Sequence, residues 1–184
     1  MEERLDIYTR DGKYLGVKTR EECHVENPGF YHKPVWIWGY NSKKEILVQK
    51  RSMQKKKFPG LLDMTCGGHV ETGELSIDGA IRETKEEIGV DVDKEKMKFM
   101  FEYIEDDAWE IGQVFFFKID KKIEEMVVQK EEVEEVKWLK FNEFKKILYS
   151  EEWVPMDSEY KDLVVNKFMQ ILNISWRREF NIII

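Results

Sequence analysis

The chain has 184 residues, 36% of them charged and 42% hydrophobic, which is enough apolar material for one domain with a packed core. Thirty Lys and Arg against 37 Asp and Glu leave a net charge of −7 and a pI near 5.2. That balance argues against a nucleic-acid polymer or an anionic membrane as partner, since both attract a positive field. The 13% aromatic content argues against a disordered chain. No apolar run reaches the length of a membrane span and no signal-peptide core opens the chain. Cys23 and Cys66 are too few for a disulfide framework, so a cytoplasmic location is expected.

The chain opens on a predicted hairpin, within about residues 1–20, in which Asp11-Gly12 turns Leu5–Thr9 onto Lys13–Val17. A loop with His24, Pro28 and Gly29 leads into a strand over Pro34–Tyr40, and Glu45–Gln49 returns from the turn at 41–44. A basic loop from Lys50-Arg51 through Lys55-Lys56-Lys57 ends at Pro59-Gly60, followed by a short apolar segment, Leu61–Thr65. Gly67-Gly68 and Gly73 then predict a glycine-rich loop before a helix from Ser76 to Ile88, with Ser76 as N-cap and Gly89 just past its end. Strands follow over Met97–Ile104, Gln113–Ile119 and Val136–Leu139, and helices over Phe141–Tyr149 and about 158–175. Strands with one helix between them and two after them predict a single layered α/β domain over 1–184.

The central helix carries three carboxylates on one face. At 100° per residue, Glu83, Glu86 and Glu87 share an arc of about 100°. Ile77, Ala80, Ile81 and Ile88 form a separate apolar stripe. A like-charged i,i+4 pair costs a helix about 0.2–0.5 kcal/mol, which a solvated face tolerates and a bridging divalent cation turns into a gain. Glycines before the helix let backbone approach a ligand, and Arg82 can orient the neighbouring carboxylate and hold it ionised.

Gly68, five residues, Glu74, seven residues, then Arg82-Glu83-Thr84-Lys85-Glu86-Glu87-Ile88-Gly89-Val90 resembles the Nudix box, spanning 68–90, of the Nudix hydrolase family. Thr84 departs from the aliphatic residue usual there. The resemblance implies an α/β/α sandwich with a mixed sheet, plus here the N-terminal hairpin and C-terminal helix. It also implies Mg²⁺- or Mn²⁺-dependent cleavage of a diphosphate linkage, usually in a nucleoside diphosphate derivative. Carried over by position, Glu83 and Glu87 are the main metal ligands and Glu86 a further ligand or a residue that positions water. The carbonyl of Gly67 adds a ligand, and Arg82 and Glu74 brace loop and helix. Glu132, in the acidic stretch before Val136–Leu139, resembles the family's distal carboxylate. Arg51 and Gly68, with His69 and Glu74, are the expected substrate-side residues.

The segment Glu22–Glu74 is also similar to a branch of that superfamily, the isopentenyl-diphosphate isomerases, which bind a metal through three histidines and use a cysteine near the third. His24, His32 and Glu110 are therefore candidates for a secondary metal site, with His69 completing the histidines. The likeness is partial: Cys66 is followed by Gly-Gly-His where the isomerase has Gly-His, and Ala108 stands at the place of a second carboxylate. The intact Arg-Glu-x-x-Glu-Glu run, which the isomerases lose, favours hydrolysis. Isomerase-type activity is the alternative, a binding module the third possibility, and Cys66 is expected as a small buried residue. The expected partner is a small diphosphate. The apolar tail Ile182-Ile183-Ile184 hints at a packed or homodimeric end.

Overall fold

The computed structural model describes residues 2–174. Its order is β1 (Arg4–Tyr8), β2 (Tyr14–Thr19), α1 (Arg20–Cys23), β3 (Tyr31–His32), β4 (Pro34–Tyr40), β5 (Glu45–Arg51), β6 (Leu62–Asp63), β7 (Cys66–His69) and α2 (Ser76–Ile88). There follow β8 (Lys98–Glu105), β9 (Glu110–Lys118), β10 (Val133–Lys140), α3 (Phe141–Leu148) and α4 (Ser158–Ile171). The main path of the mixed sheet runs β10-β5-β4-β9-β3-β1-β2, with β6 on β5, β7 on β4 and β8 on β9. The pairings of β9 with β3 and β4 are parallel and the rest antiparallel.

The pleat of β4 makes the two layers. Trp36 and Trp38 point to one face, where they join α3 and α4 through Phe144, Val164 and Phe168. Val35 and Ile37 point to the other, where they meet Ala80 and Ile88 of α2. Because both faces are covered, Pro34–Gly39 is buried throughout, as a continuous apolar run requires. Trp38 stacks on Trp153 with centroids 5.9 Å apart and planes 6° apart, and its Nε1–H donates to Tyr160 Oη at 3.0 Å. Burying each such aromatic contributes about 1.5–3 kcal/mol.

This is the α/β/α sandwich with a mixed sheet that the family resemblance implies. Two local expectations change. Of the expected glycine-rich loop, Gly67 and Gly68 lie in strand β7, whose pairing with β4 aligns Trp36 with Gly67 and Val35 with Gly68, while Gly73 stays in the turn before α2. Ser76 is the first helical residue rather than the N-cap; Leu75 caps the helix without a side-chain hydrogen bond, its carbonyl accepting from the amides of Asp78 and Gly79. Gly89 ends α2 in the left-handed region at φ +68°, and a Cβ there would lie 2.8 Å from the Val127 carbonyl oxygen. The C-terminal helix ends at Ile171. The tail Ile182–Ile184 lies outside the described residues. Among those residues, no helix is long and apolar enough to cross a membrane.

Candidate active site and histidine cluster

Strand β7 runs beneath α2 and holds the two together through Arg82. All five guanidinium N–H groups have acceptors. Nε donates to Glu74 Oε1 at 3.1 Å, and Nη2 to Glu74 Oε2 at 3.0 Å and to the His69 carbonyl at 2.9 Å. Nη1 donates to Glu83 Oε1 at 2.8 Å and Glu86 Oε2 at 3.1 Å. Glu74 also accepts from the Glu71 amide at 3.1 Å. Glu74 and Arg82 thus brace the helix start against the loop. Gly68 is glycine for space: a Cβ there would lie 2.2 Å from the Glu83 carboxyl carbon.

The three carboxylates of α2 have different surroundings. Glu86 is half exposed, at 52%. Glu83 is mostly buried, which raises its carboxyl although the Arg82 guanidinium opposes this. Glu87 is 6% exposed and accepts one hydrogen bond, from Gln49 Nε2 at 3.2 Å. Burial first, then Glu83 and Glu132, push it well above the usual carboxylate range. Glu132 lies where β10 approaches β5: its carbonyl accepts from the Ser52 amide at 2.9 Å, and its carboxylate pairs with Lys55. Arg51 is turned inward. Its Nη1 pairs with Asp63 at 2.8 Å, and Nε and Nη2 hold the Lys57 carbonyl, so it anchors the basic loop.

Cys66 is fully buried, its thiol pushed up by burial and by Glu87. Its Sγ lies 3.8 Å from Thr84 Oγ1, which donates to the Ala80 carbonyl at 2.7 Å. The hydroxyl at position 84 thus has a partner for each of its capacities.

A second cluster sits at the far end of β7, where His69 turns its ring toward His24 and His32. Among the described residues, these three form the one group of His, Cys, Asp or Glu whose ligand atoms all lie within 4.8 Å of one another. The Nδ1 of His24 lies 2.8 Å from the Arg20 carbonyl, and the Nδ1 of His69 lies 2.8 Å from Glu3 Oε1. Both partners only accept, so both Nδ1 atoms carry the proton. The two Nε2 atoms, left free by these contacts, face each other at 3.3 Å. His32 is 1% exposed, and neither of its ring nitrogens has a hydrogen-bond partner. Burial, then His69 and His24, push its pKa down to about 3, so the ring is neutral. Glu110 Oε1 is 3.6 Å from His32 Nε2, and burial pushes its carboxyl up to about 7. β1 and β9 hold this geometry: Ile7 pairs with His32, and His32 with Glu110. Glu3, which orients His69, was not foreseen from the sequence; it lies 66 residues away and no local pattern marks it.

The comparisons agree with the box. The NUDIX domain model matches residues 30–159. The chain is 32% identical over 170 residues to Nudix hydrolase 3 of Arabidopsis thaliana, covering 85% of this chain but 22% of that protein. It is 30% identical over 157 residues to an uncharacterised Nudix hydrolase of Listeria monocytogenes, covering 83% and 89% of the two. An isopentenyl-diphosphate Delta-isomerase of Cutibacterium acnes is 29% identical over 139 residues, 70% of this chain and 69% of that one. Among solved structures, DR0079 from Deinococcus radiodurans superposes with a TM-score of 0.69 at 19% identity, covering 91% of this chain and 98% of that one. Box, fold and relatives converge: the chain belongs to the Nudix family and is a Nudix hydrolase.

Proposed function

We propose that the chain hydrolyses a diphosphate linkage in a nucleoside diphosphate derivative or related diphosphate. Mg²⁺ or Mn²⁺ would be held by Glu83 and Glu87, with Glu86, Glu132 and the Gly67 carbonyl completing the set. The observation that carries this reading is the Arg82 lattice, which spends five hydrogen bonds on fixing Glu74, Glu83, Glu86 and the β7 backbone. The donor set fits a hard cation: Glu83 and Glu87 are largely buried carboxylates, Glu83 opposes the ionisation of Glu87, and Glu86 opposes that of Glu83. A divalent cation held there would supply phosphate-charge neutralisation and a more acidic bound water. Glu86, exposed, or Glu132 would serve as the carboxylate that accepts the water proton. Arg51 fixes the basic loop that follows β5 by holding the Lys57 carbonyl.

The same reading assigns His24, His32, His69 and Glu110 to a secondary metal centre. Two ring nitrogens facing each other at 3.3 Å and an unpartnered buried imidazole support it, and three nitrogens with one carboxylate suit a borderline transition-metal ion. We place the reaction in the cytoplasm, in keeping with two free, buried thiols.

Isomerase-type activity has one observation in its favour, the convergence of the three histidines. Against it stands Cys66, fully buried and raised, a poor proton carrier for a substrate.

A phosphate-release screen over nucleoside diphosphates, nucleotide sugars, dinucleotides and isoprenoid diphosphates, with Mg²⁺ and Mn²⁺, tests the assignment. The expected result is turnover that Glu83→Gln and Glu87→Gln each abolish without changing the far-UV circular dichroism. Full turnover by both variants overturns the metal assignment. Dimethylallyl diphosphate formed from isopentenyl diphosphate, and lost on Cys66→Ala, reverses the ranking of the two activities. No turnover on any compound with either metal leaves a binding module as the reading.

A further inference from the structure

We infer that Glu3 is a positioning residue of the histidine centre, and that the N-terminal strand is a working part of that centre rather than an appendage. This rests on reading His24, His32, His69 and Glu110 as a metal site.

The family match begins at residue 30, so Glu3, Arg20 and His24 all lie before it. They nonetheless form one reciprocal unit. The Arg20 amide donates to the Glu3 carbonyl at 3.0 Å, and Arg20 Nε faces Glu3 Oε2 at 3.3 Å. The two residues then each orient one histidine. The Arg20 carbonyl accepts from His24 Nδ1, and the other Glu3 oxygen accepts from His69 Nδ1, both at 2.8 Å. Each contact places the proton on Nδ1 and leaves Nε2 as the coordinating atom.

β1 is registered against the domain at several points, so Glu3 reaches His69 from a fixed frame. Leu5 bridges Glu71, the Thr72 amide donates to the Arg4 carbonyl at 3.0 Å, and Ile7 pairs with His32. Leu5, Ile7 and Cys23 are buried together, with Phe30 packed against them. A residue before Arg4, which opens β1, is therefore held over the strand that carries His69, and β1 itself sets the register of His32.

A carboxylate on the far nitrogen of a coordinating imidazole selects the tautomer and raises the basicity of the ligand atom. Losing such a partner typically costs about 10–100-fold in metal affinity.

The test uses the full chain, labelled with ¹⁵N at histidine, and Co²⁺ as the probe. Without metal, long-range ¹H–¹⁵N spectra should show His69 as the Nδ1–H tautomer in the wild type and in Glu3→Gln, whose amide oxygen still accepts. In Glu3→Ala the population should move toward Nε2–H. On titration, Co²⁺ should give visible ligand-field bands and shifted imidazole N–H signals in the wild type, both lost in His24→Ala. Glu3→Ala should bind about 10–100-fold more weakly, and Glu3→Gln between the two. If wild-type protein shows no Co²⁺ at the histidines, the metal-site reading fails and the inference falls with it. If wild type binds while Glu3→Ala and Glu3→Gln bind equally tightly with His69 unchanged, the inference alone is overturned. Should Glu3→Ala disorder the hairpin, Glu3→Gln decides: an affinity equal to wild type shows that the carboxylate does nothing for the centre.

Discussion

The side chain that Gly68 lacks is replaced by the carboxylate of Glu83. A Cβ at residue 68 would stand 2.2 Å from both Cδ and Oε1 of Glu83, and 2.5 Å from Oε2. The backbone of β7 and the acid of α2 therefore occupy one another's space, and a single methyl group must separate them. Arg82 holds Glu83 from the other side at 2.8 Å, so the carboxylate cannot step away without losing that bond. Gly68→Ala should cut phosphate release by about 100-fold or more, the scale of a small misplacement at a reacting centre. Urea unfolding should show a stability change of about 1–3 kcal/mol, as for other overpacked sites. Wild-type turnover in the alanine variant would remove Glu83 from the chemistry.

Arg82→Lys keeps the charge and loses the fork. An ammonium has three donors in place of five and cannot hold Glu74 bidentately while reaching Glu83, Glu86 and the His69 carbonyl. The expected loss is about 1–3 kcal/mol of stability, together with a fall in kcat that added Mg²⁺ does not repair. Thermal melts and steady-state kinetics on one substrate read both.

Glu87 carries a pH dependence whose sign follows from its burial. Its carboxyl is raised in the folded protein above the ordinary 4.5, so the folded state holds that proton more tightly than the unfolded chain. Stability from this group is fully present below 4.5 and is lost as pH rises toward the raised folded value. In EDTA at neutral pH, Glu87→Gln should therefore raise Tm by about 2–4 °C, roughly 1 kcal/mol for a chain of this size, while at pH 4 the two proteins should melt together. Added Mg²⁺ should raise the wild-type Tm and leave that of Glu87→Gln unmoved. A destabilised glutamine variant at neutral pH would contradict the burial cost assigned to this carboxylate.

Gly112 is a packing constraint away from the acidic helix. A Cβ there would lie 2.5 Å from the Trp36 ring, which in turn meets Tyr160 edge-on at 4.9 Å. Gly112→Ala must push an indole that is 91% buried, at an expected cost of about 1–3 kcal/mol. Denaturant titration measures it.

Much of this architecture follows from local pattern. The apolar run of β4, the acid-and-apolar faces of α2 and the glycine that ends it are each written within a few turns of chain, where period and steric freedom decide. The expectation failed at β7, because Gly67 and Gly68 carry no strand propensity of their own and become a strand through pairing with β4, about thirty residues earlier. It was silent on β3 and α1, elements of two and four residues that exist only in their contacts.

The site divides in the same way. Glu83, Glu86, Glu87, Arg82, Glu74 and Gly68 lie within one stretch of chain whose spacing alone marks them. Sequence by itself therefore determined the family, the acidic helix and the kind of substrate charge that helix can meet. Only the tertiary structure decided how exposed each carboxylate is: Glu87 is buried against Gln49 of β5, while Glu86, one residue before it, stands half in water. Only it showed that three histidines spread over 46 residues share one small volume, and that Glu3, near the start of the chain, holds the last of them. The physical reason is range. Helical period and turn chemistry act over a few residues, whereas a tautomer, a desolvated carboxylate or a glycine that yields its place to an acid depends on groups brought together by the sheet.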